Sequence, residues 1–174
     1  MSFLKKLPTT ITTGLGLTLI ERAVKGSFAR RCTEEELERV RAHFTHDGEI
    51  RCTYCDAPNP NRWAHIHPVS RGGDTVPGNI VPACGRCDDA KQDRDIGAWA
   101  VSTSPHRPTM ERAAEILERI ERYRAVFHYE PVEFVNKLTA EQWAMYEAIS
   151  ADIHALRKRL QDAGFAKPDP FAAR

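Results

Sequence analysis

Residues 52–91 read CTYCDAPNPNRWAHIHPVSRGGDTVPGNIVPACGRCDDAK and contain two pairs of cysteines, Cys52 with Cys55 and Cys84 with Cys87. Within each pair two residues separate the cysteines, a spacing at which both thiolates reach one metal ion at about 2.3 Å. Two such pairs complete a tetrahedral shell and leave no open position. The zinc ion that they indicate is therefore structural and not catalytic.

Two disulfides or a thioredoxin-like redox pair are the alternatives for these four cysteines. A secreted disulfide protein would carry an export signal. Here Lys5 and Lys6 precede an uncharged stretch over 7–20, but Glu21 follows it directly and no cleavage pattern fits, so an amphipathic helix is the preferred interpretation. A redox pair would need only one cysteine pair. We expect structural zinc on the four cysteines, and we expect Cys32 to be a free, packed thiol.

Length and charge limit the classes of protein that fit. The chain has 174 residues, with 25 Lys and Arg against 24 Asp and Glu and a formal charge of +1. This is room for one domain with helical extensions. A polybasic coat that binds any polyanion is excluded, so nucleic-acid binding would need locally placed positive charge. No run approaches the ~20 apolar residues that span a bilayer, and we expect a cytoplasmic protein.

The sequence predicts three segments, at 1–31, 32–100 and 101–174, and a mostly helical α+β fold. The first segment is basic, because six Lys and Arg side chains face the single acid Glu21. The second contains the cysteine pairs and is rich in Pro, Gly and Asn over 49–97, which favours short strands and loops. Residues 102–108 indicate a linker before a helical C-terminal region.

A helix is predicted over 33–46, ahead of the first cysteine pair. Thr33 and Glu36 have the spacing of a capping box, in which each side chain bonds the other residue's backbone N–H. Asp47 and Gly48 are expected to end this helix.

Two longer helices are predicted in the third segment. One covers about 110–127, and the other begins at a capping box of Thr139 and Gln142 and ends before Gly164. The apolar face predicted for the first consists of Met110, Ala114, Leu117, Ile120 and Phe127. Such faces indicate packing of the helices against each other or against a second subunit, as in a homodimer.

The segment between the cysteine pairs resembles the HNH endonuclease family, whose ββα-metal fold is often braced by a four-cysteine zinc. The family pattern is a His three residues before a Pro, an Arg-Gly-Gly turn, a central Asn before an apolar pair, then a cysteine pair followed by a polar ligand. His65, the turn at 71–73, Asn79 and Asp88 stand at these positions. The resemblance covers about residues 50–95.

The resemblance implies a role for each of these residues. His65 corresponds to the general base, Asn79 to the residue that orients the loop of that His, and Asp88 to the last ligand of a catalytic Mg²⁺ or Mn²⁺. The alternative for Asp88 is a helix cap. Lys91 and Arg94 fall where family members place phosphate-contacting residues. Small stand-alone nucleases of this family are frequent in phages and mobile elements, and the resemblance extends that expectation to this chain.

One position departs from the family pattern. The residue before the catalytic His is commonly Asp or His and binds the catalytic metal, whereas this chain has Ala64. His67 supplies the missing ligand, or water fills the place, or activity is lost. The alternative for His67 is a contact with DNA or packing within the loop.

These residue types suit the hydrolysis of a phosphodiester bond. A His accepts a proton from water near neutral pH, and a hard divalent cation with carboxylate ligands stabilises the phosphate and the leaving oxygen. The predicted function is metal-dependent cleavage of DNA, expected to be double-stranded, with phosphate contacts from Arg62, Arg71, Lys91 and Arg94. Arg71 is alternatively a solvated turn residue. The alternative function, which Ala64 favours, is a zinc-braced DNA-binding module without activity.

Overall fold

The computed structural model describes residues 13–165 and confirms a mostly helical α+β fold. Its helices are α1 (Thr13–Gly26), α2 (Glu34–Phe44), α3 (Gly85–Lys91), α4 (Ile96–Ala100), α5 (Met110–Phe127) and α6 (Ala140–Asp162). Its strands are β1 (Thr45–His46), β2 (Glu49–Ile50), β3 (Arg62–His65) and β4 (Ile80–Ala83). Residues 1–12, with Lys5 and Lys6 of the predicted basic segment, lie outside the described residues.

The chain divides into two compact units. Lys25–Lys137 forms one unit, and Met1–Val24 with Leu138–Arg174 forms the other. In the second unit, Leu17 of α1 and Ile153 of α6 are buried, and the guanidinium of Arg157 lies 3.7 Å from the carboxylate of Glu21. No helix in the described range is both long and apolar enough to cross a bilayer.

Both predicted capping boxes form. Thr33 and Glu36 bond reciprocally at the start of α2, and Thr139 and Gln142 do the same at the start of α6. The predicted end of the first helix is corrected: α2 ends at Phe44, and the next residues pair as β1 and β2. Asp47 and Gly48, at φ 51° and 76°, form the two-residue turn of this hairpin, because both positions need the left-handed conformation.

The apolar face of α5 also differs from the predicted one. Ile120 is buried and Phe127 packs against the core, as predicted. The other buried residues are Ala113, Ile116 and Tyr123, whereas Met110 and Leu117 are exposed. The buried face packs into one core with residues around the cysteine pairs, among them Cys52, Val81 and Trp99. The Tyr123 hydroxyl donates to the carbonyl of Ile80 at 2.8 Å, so α5 is tied directly to β4.

Strands β3 and β4 form the antiparallel hairpin that carries the predicted base. His65 pairs with Ile80 at one end of the hairpin, and Arg62 pairs with Ala83 at the other. Along β3, Ala64 is buried while Trp63 and His65 are partly open, as expected from side chains that alternate between the two faces of a strand. Helix α3 follows β4 directly, so Asp88 and His65 belong to consecutive elements of a ββα unit.

Candidate active site and metal centre

The four cysteines form one cluster. The Sγ atoms of Cys52, Cys55, Cys84 and Cys87 lie within 4.8 Å of one another, and those of Cys55 and Cys84 are 3.7 Å apart. A tetrahedral zinc with Zn–S bonds of about 2.3 Å requires sulfur atoms about 3.8 Å apart. All four cysteines are free thiols and not disulfides. The donor set and its spacing therefore fit a structural zinc ion.

The backbone around each cysteine pair is fixed by hydrogen bonds. The amide of Cys52 donates to the carbonyl of Ala57 at 2.8 Å, which closes the first loop. In the second pair, Asn61 Oδ1 accepts from the amide of Gly85 at 3.0 Å, at the first residue of α3. The cluster thus joins the loop before β3 to the helix after β4.

The thiols of Cys52 and Cys87 have pKa values that shift in opposite directions. A hydrogen bond with Cys87, helped by the backbone amides of Cys84 and Cys55, lowers the pKa of the Cys52 thiol to about 4. The same bond with Cys52, together with burial, raises the pKa of Cys87. Zinc binds thiolates, so its binding must release protons from Cys87.

His65 lies at the end of β3 with both its ring and its backbone held. The ring nitrogen Nε2 is 2.9 Å from the hydroxyl oxygen of Thr75. The carbonyl of His65 accepts a hydrogen bond from the ammonium of Lys91 at 2.9 Å. Burial, followed by the positive charge of Lys91, lowers the pKa of His65, while Asp88 and Asp74 oppose the shift. The imidazole is therefore neutral at neutral pH.

Asn79 closes the loop that begins after His65. Its side chain is fully buried, and Oδ1 accepts from the amide of His67 at 2.8 Å. Its Nδ2 donates to the carbonyl of His67 at 3.0 Å and to the carbonyl of Asp74 at 2.7 Å. A Cβ at Gly73 would lie 1.9 Å from the carbonyl oxygen of His67, so only glycine fits there. These contacts are those expected of a residue that orients the loop.

Thr75 is itself anchored from outside the hairpin. Its amide donates to the carbonyl of Arg30 at 2.9 Å, and its carbonyl accepts from the amide of Cys32 at 2.6 Å. The neighbouring Asp74 accepts from the ammonium of Lys137 at 2.6 Å and from the amide of Arg30 at 2.7 Å. The hydroxyl that contacts His65 thus stands on a segment held by two distant parts of the chain.

His67 has surroundings different from those of His65. Its ring nitrogen Nε2 lies 3.2 Å from the carbonyl oxygen of Arg71, and the residue is buried. Burial lowers its pKa, and the nearby carboxylate of Glu133 opposes the shift. Arg71 in turn pairs with Glu133 at 2.5 Å. The contacts of His67 are thus with its own loop and with the segment around Glu133.

Asp88 lies in the first turn of α3 and carries an ion pair. Its Oδ2 is 3.2 Å from Nη1 of Arg62, and the same guanidinium nitrogen is 2.5 Å from Oδ1 of Asp89. The negative charge of Asp88 opposes the lowering of the pKa of His65 and of Lys91. Ala64 is 2% exposed and offers no ligand atom. The carboxylate of Asp88 fits an oxygen-seeking cation such as Mg²⁺, which takes one or two protein carboxylates and completes its shell with water and substrate phosphates.

The four residues predicted to contact DNA all have partners within the protein. Arg62 and Arg71 pair with acids, and Arg94 donates to the carbonyl of Ala90 at 3.3 Å and to Gln92. Lys91 is 1% exposed, and burial lowers its pKa to about 8. Its ammonium contacts the strand of His65 and not the solvent. Arg62, Arg71 and Arg94 keep accessible surface from which a phosphate could be reached.

Sequence reasoning missed Thr75, Asp74 and Lys137. Thr75 lies ten residues after His65, in a loop whose path depends on Asn79 and on the segment around Arg30. Lys137 lies far along the chain, and only the fold brings it to Asp74. No periodicity or spacing in the sequence indicates either contact.

Comparison with known protein families gives a match in this part of the chain. Residues 52–94 match the profile of the HNH endonuclease family, described as HNH endonuclease. Neither the curated proteins nor the solved structures gave a match to the chain. The matched range begins at the first cysteine of the cluster and includes His65, Asn79 and Asp88. Proteins of this family act on nucleic acids. Residues 52–94 of this chain are an HNH endonuclease domain built around a four-cysteine cluster.

Proposed function

We propose that this chain is a metal-dependent endonuclease that hydrolyses phosphodiester bonds of double-stranded DNA, with His65 as the general base. The observation that carries the proposal is the fixed imidazole of His65, 2.9 Å from the Thr75 hydroxyl, inside the segment that matches the HNH family. A general base must be both oriented and neutral, and these contacts and the lowered pKa of His65 supply both conditions.

The contact with Thr75 engages Nε2 of His65 and leaves Nδ1 for the proton of water. When the hydroxyl oxygen of Thr75 accepts a hydrogen bond from Nε2–H, the lone pair of His65 is on Nδ1. A water molecule next to Nδ1 gives up its proton to this nitrogen as its oxygen attacks phosphorus. Asn79 and Lys91 keep the backbone on both sides of the ring in place, because they bond to His67 and to the carbonyl of His65.

Asp88 is the residue of this chain that would hold the catalytic cation. When bound, Mg²⁺ or Mn²⁺ would neutralise charge on the phosphate and on the leaving oxygen. His67 is the less suitable of the two predicted ligands, because it is buried and its Nε2 lies against the carbonyl of Arg71. The zinc of the four cysteines would fix the start of α3, and with it the position of Asp88.

A DNA-binding module without activity is the second candidate function. Ala64 lacks a ligand atom, and the carboxylate of Asp88 is already paired with Arg62. A module of that kind would not require the bond between Thr75 and the ring of His65, since that bond orients an imidazole and not a DNA contact. This bond is the reason for favouring the nuclease.

Cleavage of plasmid DNA separates the two candidates. The zinc-loaded full chain is incubated with supercoiled plasmid and Mg²⁺, Mn²⁺, Ni²⁺ or Co²⁺, and in parallel with EDTA. We expect nicked or linear DNA with at least one of the divalent ions and none with EDTA. Binding of DNA without cleavage under all four ions would establish the module and overturn the nuclease.

A further inference from the structure

Arg62 and Asp88 form an ion pair at the place where the proposed function needs a cation. Nη1 of Arg62 is 3.2 Å from Asp88 and 2.5 Å from Asp89, so one guanidinium is shared by two neighbouring carboxylates. The bonds to Asp89 and Asp88 raise the pKa of Arg62. The side chain of Arg62 is 42% exposed, so the guanidinium is free to turn outward.

Asp88 has few other residues to help it hold a cation. Ala64 offers no ligand atom, and His67 faces the carbonyl of Arg71. Between residues 13 and 165, the four cysteines are the one group of three or more His, Cys, Asp or Glu side chains with ligand atoms close enough for a metal ion. A cation at Asp88 must therefore take most of its remaining ligands from water and from the phosphates of the substrate.

We propose that Arg62 occupies Asp88 until DNA arrives, so that DNA and the divalent cation bind to this site with positive cooperativity. A DNA phosphate is the stronger competitor for the guanidinium, because it can accept two parallel N–H bonds from one Arg, whereas Asp88 and Asp89 each offer one oxygen to the same nitrogen, Nη1. Once Arg62 turns to the phosphate, the carboxylate of Asp88 is released for the cation. The same phosphate then supplies ligand oxygens. This inference rests on the proposed role of Asp88 as the metal ligand.

The expected size of the effect follows from the exposure of the ion pair. Exposed pairs of this kind change an equilibrium by up to about five-fold, because solvent screens them. Phosphate oxygens that complete the shell add to this, so the coupling between DNA and cation should lie in the usual range of about 5- to 150-fold. The coupling is reciprocal: the cation must strengthen DNA binding by the factor by which DNA strengthens cation binding.

Binding of Mn²⁺ tests the inference without any cleavage. The full chain carrying His65→Ala and loaded with zinc is titrated with Mn²⁺, and free Mn²⁺ is followed by electron paramagnetic resonance with and without a short DNA duplex. The signal from the duplex alone is subtracted. We expect the duplex to raise Mn²⁺ affinity at least five-fold. Arg62→Gln should raise Mn²⁺ affinity two- to five-fold without DNA and reduce the coupling.

Arg51→Gln is the matched control. Arg51 is also about half exposed and pairs with an acid, Glu49, so its loss should leave Mn²⁺ affinity unchanged. An Arg62→Gln variant that binds Mn²⁺ as weakly as its parent, or a duplex that leaves Mn²⁺ affinity unchanged, would overturn the inference.

Asp88→Asn distinguishes a failure of the role of Arg62 from a failure of the role of Asp88 as the metal ligand. If Asp88→Asn abolishes Mn²⁺ binding while Arg62→Gln has no effect, only the role of Arg62 fails. If Asp88→Asn binds Mn²⁺ normally, the proposed ligand fails as well.

Discussion

At the scale of single residues, the environment of His65 sets its protonation state. Burial removes water from the charged form of the imidazole, and the ammonium of Lys91 opposes a second positive charge nearby. Both effects favour the neutral ring, which is the form that accepts a proton. Asp88 and Asp74 act in the opposite direction but do not reverse the shift.

We predict from this shift that the acid limb of the pH profile lies below pH 6.5. The active form of His65 is neutral, and its pKa is lowered from the ordinary histidine value of 6.5, so activity persists as the pH falls to 6.5 and is lost below it. The measurement is kcat/KM for DNA cleavage between pH 5 and 8 at fixed ionic strength and saturating Mg²⁺. An acid limb centred above pH 6.5 would show that the titrating base has a raised pKa and would contradict this assignment.

At the scale of secondary-structure elements, Lys91 connects helix α3 to strand β3. The side chain is almost fully buried and its ammonium donates to the carbonyl of His65. Asp88 lies one helical turn before Lys91 on the same helix, so this bond also sets the distance between the proposed ligand and the base. Burial of a lone ammonium is costly, and the carbonyl of His65 offsets part of that cost.

Replacing Lys91 should therefore affect both stability and the base. In Lys91→Met the carbonyl of His65 loses its buried donor, and we expect the free energy of unfolding to fall by about 1–3 kcal/mol. The acid limb of the pH profile should move upward, because the positive charge that lowers the pKa of His65 is gone. Chemical denaturation and the pH profile are the two measurements. Lys158→Met, at an exposed position of α6, should change neither. An unshifted acid limb in Lys91→Met would contradict the electrostatic role.

Local signals explain which elements could be predicted from the sequence. The capping boxes at Thr33 and Thr139 formed as predicted, because their bonds join residues three apart. The buried face of α5 was predicted correctly at Ile120 but wrongly at Met110 and Leu117, which are apolar, since the core contacts Ala113 and Ile116 instead. Which apolar residues of a helix are buried depends on the elements packed against it, and the sequence of the helix does not contain that information.

In the candidate site, the residues of the sequence motif could be predicted, but their tertiary partners could not. His65, Asn79, Asp88 and the four cysteines stand at fixed spacings, and the fold places them in one ββα unit and in the loop before it. The partners of these residues were not predictable, because Thr75 and Lys137 reach the site through the tertiary fold. The same holds for the ion pair between Arg62 and Asp88, which are 26 residues apart.

At the scale of the whole molecule, the four-cysteine cluster joins elements that have little core of their own. The strands β3 and β4 have four residues each, and α3 has seven. A unit this small needs a metal or further packing to be stable. The cluster holds the loop before β3 against the start of α3, and α5 covers the adjoining core.

Loss of one cysteine of the cluster should therefore remove zinc and destabilise the compact unit Lys25–Lys137. We expect about one zinc per chain in protein purified without added metal, and substantially less in Cys87→Ser, together with a lower melting temperature. Elemental analysis and circular dichroism measure the two effects. Cys32→Ser is the control, because Cys32 lies outside the cluster. A folded wild-type protein without zinc would contradict the assignment of the cluster.

The assignment of His65 as the general base is tested most directly by the single-turnover rate of DNA cleavage by His65→Ala. Enzyme in excess over a labelled duplex, with Mg²⁺ or Mn²⁺, isolates the chemical step from binding. If His65 is the general base, the rate should be about 10²- to 10⁴-fold lower than that of the wild type, the usual contribution of such a base, with DNA affinity and zinc content unchanged. His106→Ala, at an exposed turn, should cleave at the wild-type rate. A His65→Ala variant that cleaves DNA at the rate of the wild type would contradict the assignment of His65 as the base.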